Sequence, residues 1–262
     1  MNQSKLAVCQ FESDIGNKKS NINQIEDIVS QLPDESQIAV FPELCVSGYT
    51  IDKIEDYAET IPGESTHKIE EIARENNIII VAGMPEKSDG KLYNSIVIVG
   101  ESGLKEVYRK QYPTGGELDK FTPSDNQTII ETEFGKIGFL ICYDMSFPET
   151  MLEYAEEECD IVVVSSAWRK GWHDDWRVLA RARALESTAY IIASNAKGYQ
   201  NNRHNGGESI IVSPKGDILS NLKSYRTSAT VEFDQELVDE ARNVYNPVIK
   251  DREKINQYKN NN

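Results

Sequence analysis

The stretch GFLICYDMSFPE, residues 138–149, decides how the rest of the chain is read. An apolar run ends in Cys142, Asp144 follows two positions later, and SFPE opens a helix. Ser146 is placed to cap that helix, with Glu149 three residues on returning the hydrogen bond. Pro148 suits a first helical turn, where its missing N–H costs nothing. The segment therefore predicts a strand, a tight turn and a helix. A cysteine at such a turn reads in two ways. Free cysteine is among the most buried residue types and packs as a small apolar group. Backbone N–H groups near the turn can also face a thiolate, or an oxyanion beside it, as a nucleophile requires. Taken alone, the segment leaves both readings open.

Outward from it, short β-rich runs alternate with helical patterns. Residues 5–11, 37–41, 78–84, 92–100, 136–142, 160–166, 189–195, 208–213 and 227–233 read as strands, rich in β-branched residues and bounded by turn formers. Helical patterns occupy 17–32, 65–77, 149–158 and 175–187; in the last, Val178, Leu179, Ala182 and Leu185 share one face. SDGK at 88–91, ESG at 101–103 and PKGD at 214–217 are turn signals that imply antiparallel hairpins among the helix-linked strands. The expectation is a mixed α/β layered protein, a single domain over 1–262, with a tail that frays from about residue 255.

Composition bounds the function. The formal net charge of -15 gives no basic footprint for a nucleic-acid partner. The N-terminus lacks the basic start and apolar core of a secretory signal, and no apolar run is long enough to span a bilayer. A cytoplasmic location is expected. Cys9, Cys45, Cys142 and Cys159 are scattered without a CxxC pair and should be free thiols. His67, His173 and His204 are not paired at ligand spacing, so no metal site is expected.

A thiol nucleophile needs a proton acceptor. The histidines lie in polar segments and offer little, which turns attention to carboxylates. Glu43, in VFPELCVSG, directly follows the apolar run QIAVF, with Pro42 ending the ladder. A carboxylate partly desolvated at a strand end has the raised pKa wanted of a general base. Lys110, in EVYRKQYP, follows a strand-like Val107–Tyr108 and opens a loop rich in Gly and Pro. Its ammonium could stand beside a carboxylate and a developing oxyanion. Each has an ordinary alternative, Glu43 as a solvated loop residue and Lys110 as a surface lysine.

Taken in order, FPE at 41–43, YRK at 108–110 and GFLICYDMSFPE at 138–149 resemble the signature segments of the nitrilase superfamily, the carbon–nitrogen hydrolases, in its amidase-type branch. The resemblance runs through AVCQF, PTGGELDKF, RARALES, GGESIIVSPKGD and PVIKDRE, essentially the whole chain. It implies a four-layer αββα sandwich that assembles as a homodimer and uses no cofactor. It also implies a catalytic triad of Glu43, Lys110 and Cys142, with the Tyr143 N–H joining Lys110 at the oxyanion. Glu117 matches a second glutamate of the family's amidases, placed to orient the amide and hold the lysine. Trp168 corresponds to a pocket wall; beside it, Arg169 offers a guanidinium fork able to meet a substrate carboxylate, with a surface arginine as its ordinary alternative, and Asn195, at the end of AYIIASN, is a candidate for the pocket edge. Arg183 and Glu186 match positions that brace the active-site strands. The chain departs from relatives in RKQYP, where many carry an RKxHL pattern, and in Asp175-Trp176, where amidases often have His-Trp.

The expected activity is hydrolysis of a small linear amide to a carboxylic acid and ammonia through an acyl-thioester on Cys142. N-carbamoyl hydrolysis and ω-amidase activity are the nearest alternatives. A catalytically silent binding or assembly protein is the alternative from another class.

Overall fold

Alternate residues of the first strand point in opposite directions, and both directions are buried. In β1 (Lys5–Cys9), Leu6 and Val8 join a core between two sheets, while Ala7 and Cys9 join a second core beneath helices. A strand covered on both faces reads as a continuous apolar run, which is why KLAVC is legible as one. The computed structural model describes residues 4–260.

The first sheet adds β2 (Ser36–Val40), β3 (Ile79–Ser88), β4 (Lys91–Gly100), β5 (Gly103–Arg109) and β14 (Ser228–Glu232), in the order β14-β1-β2-β3-β4-β5. The second contains β6 (Ile129–Thr132), β7 (Gly135–Ile141), β8 (Ile161–Ser166), β9 (Tyr190–Asn195), β12 (Ile210–Val212) and β13 (Ile218–Asn221), in the order β13-β12-β9-β8-β7-β6. Each sheet has three adjacent parallel strands, β1-β2-β3 and β7-β8-β9, flanked by antiparallel ones. β10 (Lys197–Gln200) and β11 (Arg203–Gly206) pair only with each other as a separate ribbon.

The helices are α1 (Lys18–Val29), α2 (Ile54–Tyr57), α3 (Glu64–Glu75), α4 (Pro148–Glu156), α5 (His173–Ser187), α6 (Gln235–Glu240) and α7 (Val248–Asn260). Helices α1 and α3 bury Ile22, Ile25, Ile69 and Ile72 against the outer face of the first sheet. Helices α4 and α5 cover the second sheet; at Gly138 an added Cβ would stand 2.5 Å from the Tyr154 ring of α4. The result is the expected four-layer αββα sandwich. Among the described residues, no helix is long and apolar enough to cross a membrane.

Two local expectations are corrected. The face of α5 that meets the sheet is Trp176, Ala180, Arg183, Ala184 and Ser187, and Val178 is 65% exposed. The sheet selects small and hydrogen-bonded side chains at helical spacing, Arg183 donating to the Met145 carbonyl at 2.7 Å, rather than the most apolar stripe. Ser146 does not cap α4, because the chain is still in the 3-10 turn Cys142–Ser146, and Phe147 occupies the cap position ahead of Pro148. The tail expected to fray from about residue 255 is helical in α7 as far as Asn260, and residues 261 and 262 lie outside the described residues.

Candidate active site

The two sheets are tied together where β2 and β8 end. The Ser165 hydroxyl donates to the Phe41 carbonyl at 2.8 Å, and the Glu43 N–H donates to the Ser166 carbonyl at 3.3 Å. Beneath this turn lies Gly83 of β3, whose carbonyl accepts from the Val46 N–H at 3.0 Å. A Cβ at Gly83 would collide with the Leu44 nitrogen and stand 2.7 Å from the Pro42 oxygen. Leu44, next to Glu43, has φ +49°, a left-handed conformation costly for such a side chain. The strand end thus aims Glu43 inward, where it is 2% exposed.

Lys110 follows β5, its N–H held by the Asn94 carbonyl at 2.8 Å, and is 2% exposed. Its Nζ donates to Glu43 Oε1 at 2.7 Å and to Glu117 Oε2 at 2.8 Å. Asn94 Nδ2 donates to Glu43 Oε1 at 2.8 Å and the Ala167 N–H to Oε2 at 3.0 Å. Glu117, with no exposed surface, also accepts from the Thr114 N–H and from the Tyr49 hydroxyl, each at 2.9 Å. Burial alone would depress the Lys110 pKa, but Glu43 and Glu117 outweigh it and hold the ammonium well above its ordinary range. Burial pushes Glu117 up, and Lys110 with the other donors brings it below the ordinary carboxylate value. Tyr49 is raised by burial and by both glutamates, so its phenol stays protonated and donates.

Cys142 begins the turn after β7 with φ +49°. The turn is held by Asp144, which is buried. Its Oδ2 accepts from the Ile141 N–H at 2.9 Å and the Tyr108 hydroxyl at 2.8 Å, and its Oδ1 from the Tyr112 N–H at 2.8 Å. Burial pushes Asp144 up to about 6, against the pull of Lys110 and these donors. Burial, reinforced by Glu43, pushes the Cys142 thiol up to about 12, while Lys110 and Arg203 pull it back. Cys45 and Cys159 are also raised to about 12 by burial, so acidity does not single Cys142 out. Its company does: Glu43, Lys110 and Arg203 act on it electrostatically. A neutral thiol beside a carboxylate and an ammonium becomes a nucleophile only as the carboxylate takes its proton.

Cys142 opens into a cavity of about 590 Å³, lined also by Tyr143, Trp168, Arg169, Trp172, Leu179 and Arg203. Tyr143, Trp168 and Arg169 therefore meet at the cavity. Trp168 is fixed there by its Nε1–H donating to the Trp172 carbonyl at 2.9 Å and by Trp176, with ring centroids 5.7 Å apart. Arg169 is exposed at the rim, its guanidinium 5.5 Å from the Trp172 ring centre. Asn195 does not line the cavity: it is fully buried and braces the wall from behind, Oδ1 accepting from the Trp168 N–H at 2.5 Å and Nδ2 donating to the Gly207 carbonyl at 2.7 Å. Arg183 and Glu186 pair at 2.6 Å on α5 away from the cavity. Among the described residues, no group of three or more His, Cys, Asp or Glu could hold a metal ion.

Four residues of the site escaped the sequence reading: Tyr49, Asn94, Asp144 and Arg203. Asp144 carried a local signal, because it lies three residues after the Ile141 N–H that it caps. The others bond across long separations, 68 residues for Tyr49 with Glu117 and 51 for Asn94 with Glu43, and sequence spacing holds no trace of this.

Comparison with known proteins bears on the family and the fold. The sequence profile of the family described as carbon–nitrogen hydrolase matches residues 5–243. The omega-amidase NIT2 of Xenopus tropicalis is 30% identical, over 86% of this chain and 87% of that protein. The omega-amidase NIT3 of Saccharomyces cerevisiae is 31% identical, over 95% and 92%. Among solved structures, Saccharomyces cerevisiae Nit3, a member of branch 10 of the nitrilase superfamily, superposes with a TM-score of 0.86 at 27% identity, over 92% of this chain and 93% of that one. A CN-hydrolase superfamily protein of Xanthomonas campestris with an arsenic adduct in its active site shares the fold, with a TM-score of 0.89 at 20% identity, over 96% and 97%.

Proposed function

The chain belongs to the carbon–nitrogen hydrolase family, and from that premise we propose that it hydrolyses a small linear amide through an acyl-thioester on Cys142, with Glu43 and Lys110 completing the machinery. The observation that carries this reading is the buried Glu43–Lys110–Glu117 chain beside a thiol at φ +49° that faces a cavity. Burying three charges costs several kcal/mol per ion, which pairing only offsets, and a plain binding module has no need of such an arrangement.

In this mechanism Glu43 takes the Cys142 proton as Sγ attacks the amide carbon. The oxyanion that forms is met by the Lys110 ammonium and the Tyr143 N–H. Each such donor is worth roughly 100- to 1,000-fold in rate. Both carboxylates hold Lys110 charged at the start, and Glu117 keeps its hold while Glu43 carries the proton. Glu43 passes its proton to the nitrogen, the C–N bond breaks and ammonia departs. Water then attacks the thioester carbon and gives its proton to Glu43. The C–S bond breaks, the proton returns to sulfur, and the carboxylic acid is released. Glu117 holds Lys110 from the opposite side and leaves Glu43 free to move protons.

The test is ammonia release from a panel of linear amides, ω-amides of dicarboxylic acids, N-carbamoyl amines and nitriles, with Cys142→Ala alongside. Activity on one amide class that vanishes in the variant is the expected result. Equal silence or equal activity of both proteins would overturn the reading. Assembly as a homodimer belongs to the same proposal. It is supported by the apolar surface that Trp172 and Val178 leave exposed near the start of α5. Light scattering at micromolar concentration checks it.

A further inference from the structure

Resting on the hydrolase reading above, we propose that Ser166 is a further catalytic residue: its hydroxyl donates to the Cys142 sulfur as negative charge gathers there, both when the thiol attacks and when the thiolate leaves. Ser166 is the last residue of β8 and has no exposed surface. Ile141 and Ser165 are partners across the parallel β7–β8 ladder. The residues that follow them, Cys142 and Ser166, therefore stand side by side where the two strands end. The Ser166 backbone is held from two sides, its carbonyl accepting from the Glu43 N–H at 3.3 Å and from the Ala196 N–H at 2.9 Å. The next N–H along, that of Ala167, donates to Glu43 Oε2 at 3.0 Å. One strand end thus fixes this serine, the base and the neighbour of the nucleophile in a single frame.

The two serines that close β8 differ in one respect. The Ser165 hydroxyl has an ordinary partner, the Phe41 carbonyl at 2.8 Å. The Ser166 Oγ is buried and, among the described residues, finds no acceptor of good hydrogen-bond geometry. A buried hydroxyl in that position is costly, because it gives up water and gains no bond in exchange. The acceptor in reach is the Cys142 sulfur. Burial and Glu43 push that thiol up, while Lys110, Arg203 and the Ser166 hydroxyl draw it back. A neutral thiol sulfur accepts weakly, whereas a charged acceptor makes a strong bond. The contact that is poor in the resting site therefore becomes good as Glu43 takes the proton. In deacylation the sulfur again gathers charge as the C–S bond breaks. An interaction that strengthens only along the reaction is the kind that raises its rate. No proton passes through Ser166, which remains a hydroxyl throughout. Lys110 cannot fill this role, because its ammonium is engaged by Glu43 and Glu117.

The experiment follows Ser166→Ala beside wild type. Alkylation of Cys142 by iodoacetamide, read on its own peptide by mass spectrometry, needs no substrate. A hydrogen bond to a charged group is worth about tenfold or more in an equilibrium, and part of that is offset because a more basic thiolate is the better nucleophile. The variant should therefore be alkylated about 3- to 10-fold more slowly at pH 8, with its rate profile displaced to higher pH. An unchanged profile overturns the proposal, whatever happens to turnover. Ammonia release from the amide that wild type hydrolyses best should fall about 10- to 100-fold in kcat with little change in KM. A kcat within about twofold of wild type contradicts the proposal equally. Thermal unfolding separates catalysis from packing. Removing a hydroxyl that lacks a partner should leave the melting temperature at or above that of wild type. A clear drop would mean that the hydroxyl supports the fold, and the catalytic role would fall. Slower alkylation of the variant, with a wild type silent on every amide, would keep the sulfur contact and defeat the hydrolase reading instead.

Discussion

Phe-Pro-Glu occurs twice in this chain, at 41–43 and at 147–149, and the two copies end in opposite surroundings. The first follows a central parallel strand and crosses to the other sheet, so Glu43 is buried among Lys110, Asn94 and the Ala167 N–H. The second follows a 3-10 turn at the outer layer, where Phe147 stacks on Tyr112 with ring centroids 3.6 Å apart. Pro148 there starts α4 and Glu149 is exposed in its first turn. Three identical residues thus hold different offices, and the difference lies in what precedes them and what lies beneath. Under the first copy is Gly83, which lets the turn close onto β3; the second has a helix to begin. A motif is read correctly only with its support.

The sharpest way to break this contrast is to remove the same charge from both copies. Glu43→Gln should lower kcat by about 100- to 10,000-fold, the usual contribution of a general base, while Glu149→Gln should stay within about twofold of wild type. Comparable losses in the two variants, measured by ammonia release, would sink the assignment of the base. A smaller effect is expected at the support. Gly83→Ala places a Cβ against the Leu44 nitrogen and the Pro42 oxygen, so it should cost about 2 kcal/mol in urea unfolding and displace Glu43 enough to reduce kcat. A variant of full stability and full activity would show that the turn has room to move.

The smallest effect concerns pH and Glu117. Its folded pKa lies below the ordinary 4.5, so in acid the unfolded chain takes up the proton first. The stabilisation is therefore complete above about pH 4.5 and is lost as pH falls through the depressed folded value. Glu117→Gln should flatten that acid limb relative to wild type in chemical denaturation at successive pH values. An unchanged slope would mean that Lys110 is held by Glu43 alone.

Much of this molecule is legible before any coordinates. The doubly covered strands announce themselves as apolar runs, and the turn signals SDGK and ESG fall at the β3–β4 and β4–β5 hairpins. Glu43 and Cys142 each follow such a run, but Lys110 follows the half-exposed edge strand β5, and the three segments are read together only through their resemblance to one family. Legibility stops where polar residues do structural work. The buried face of α5 includes Arg183 and Ser187, so counting apolar residues selects the wrong side. The strands β10 and β11, KGYQ and RHNG, have no apolar alternation at all, and Arg203 is hidden with them.

That ribbon has a consequence for how the protein can diverge. β10 and β11 hydrogen-bond to neither six-stranded sheet, and they are moored by the Arg169–Asn205 bridge and by the Gly206 N–H to the Trp168 carbonyl at 3.0 Å. The proposed triad stands on the sandwich, whereas Arg203, part of the cavity wall, hangs from a short appendage. Replacements along the ribbon can therefore reshape that side of the cavity, generation after generation, while leaving both six-stranded sheets as they were.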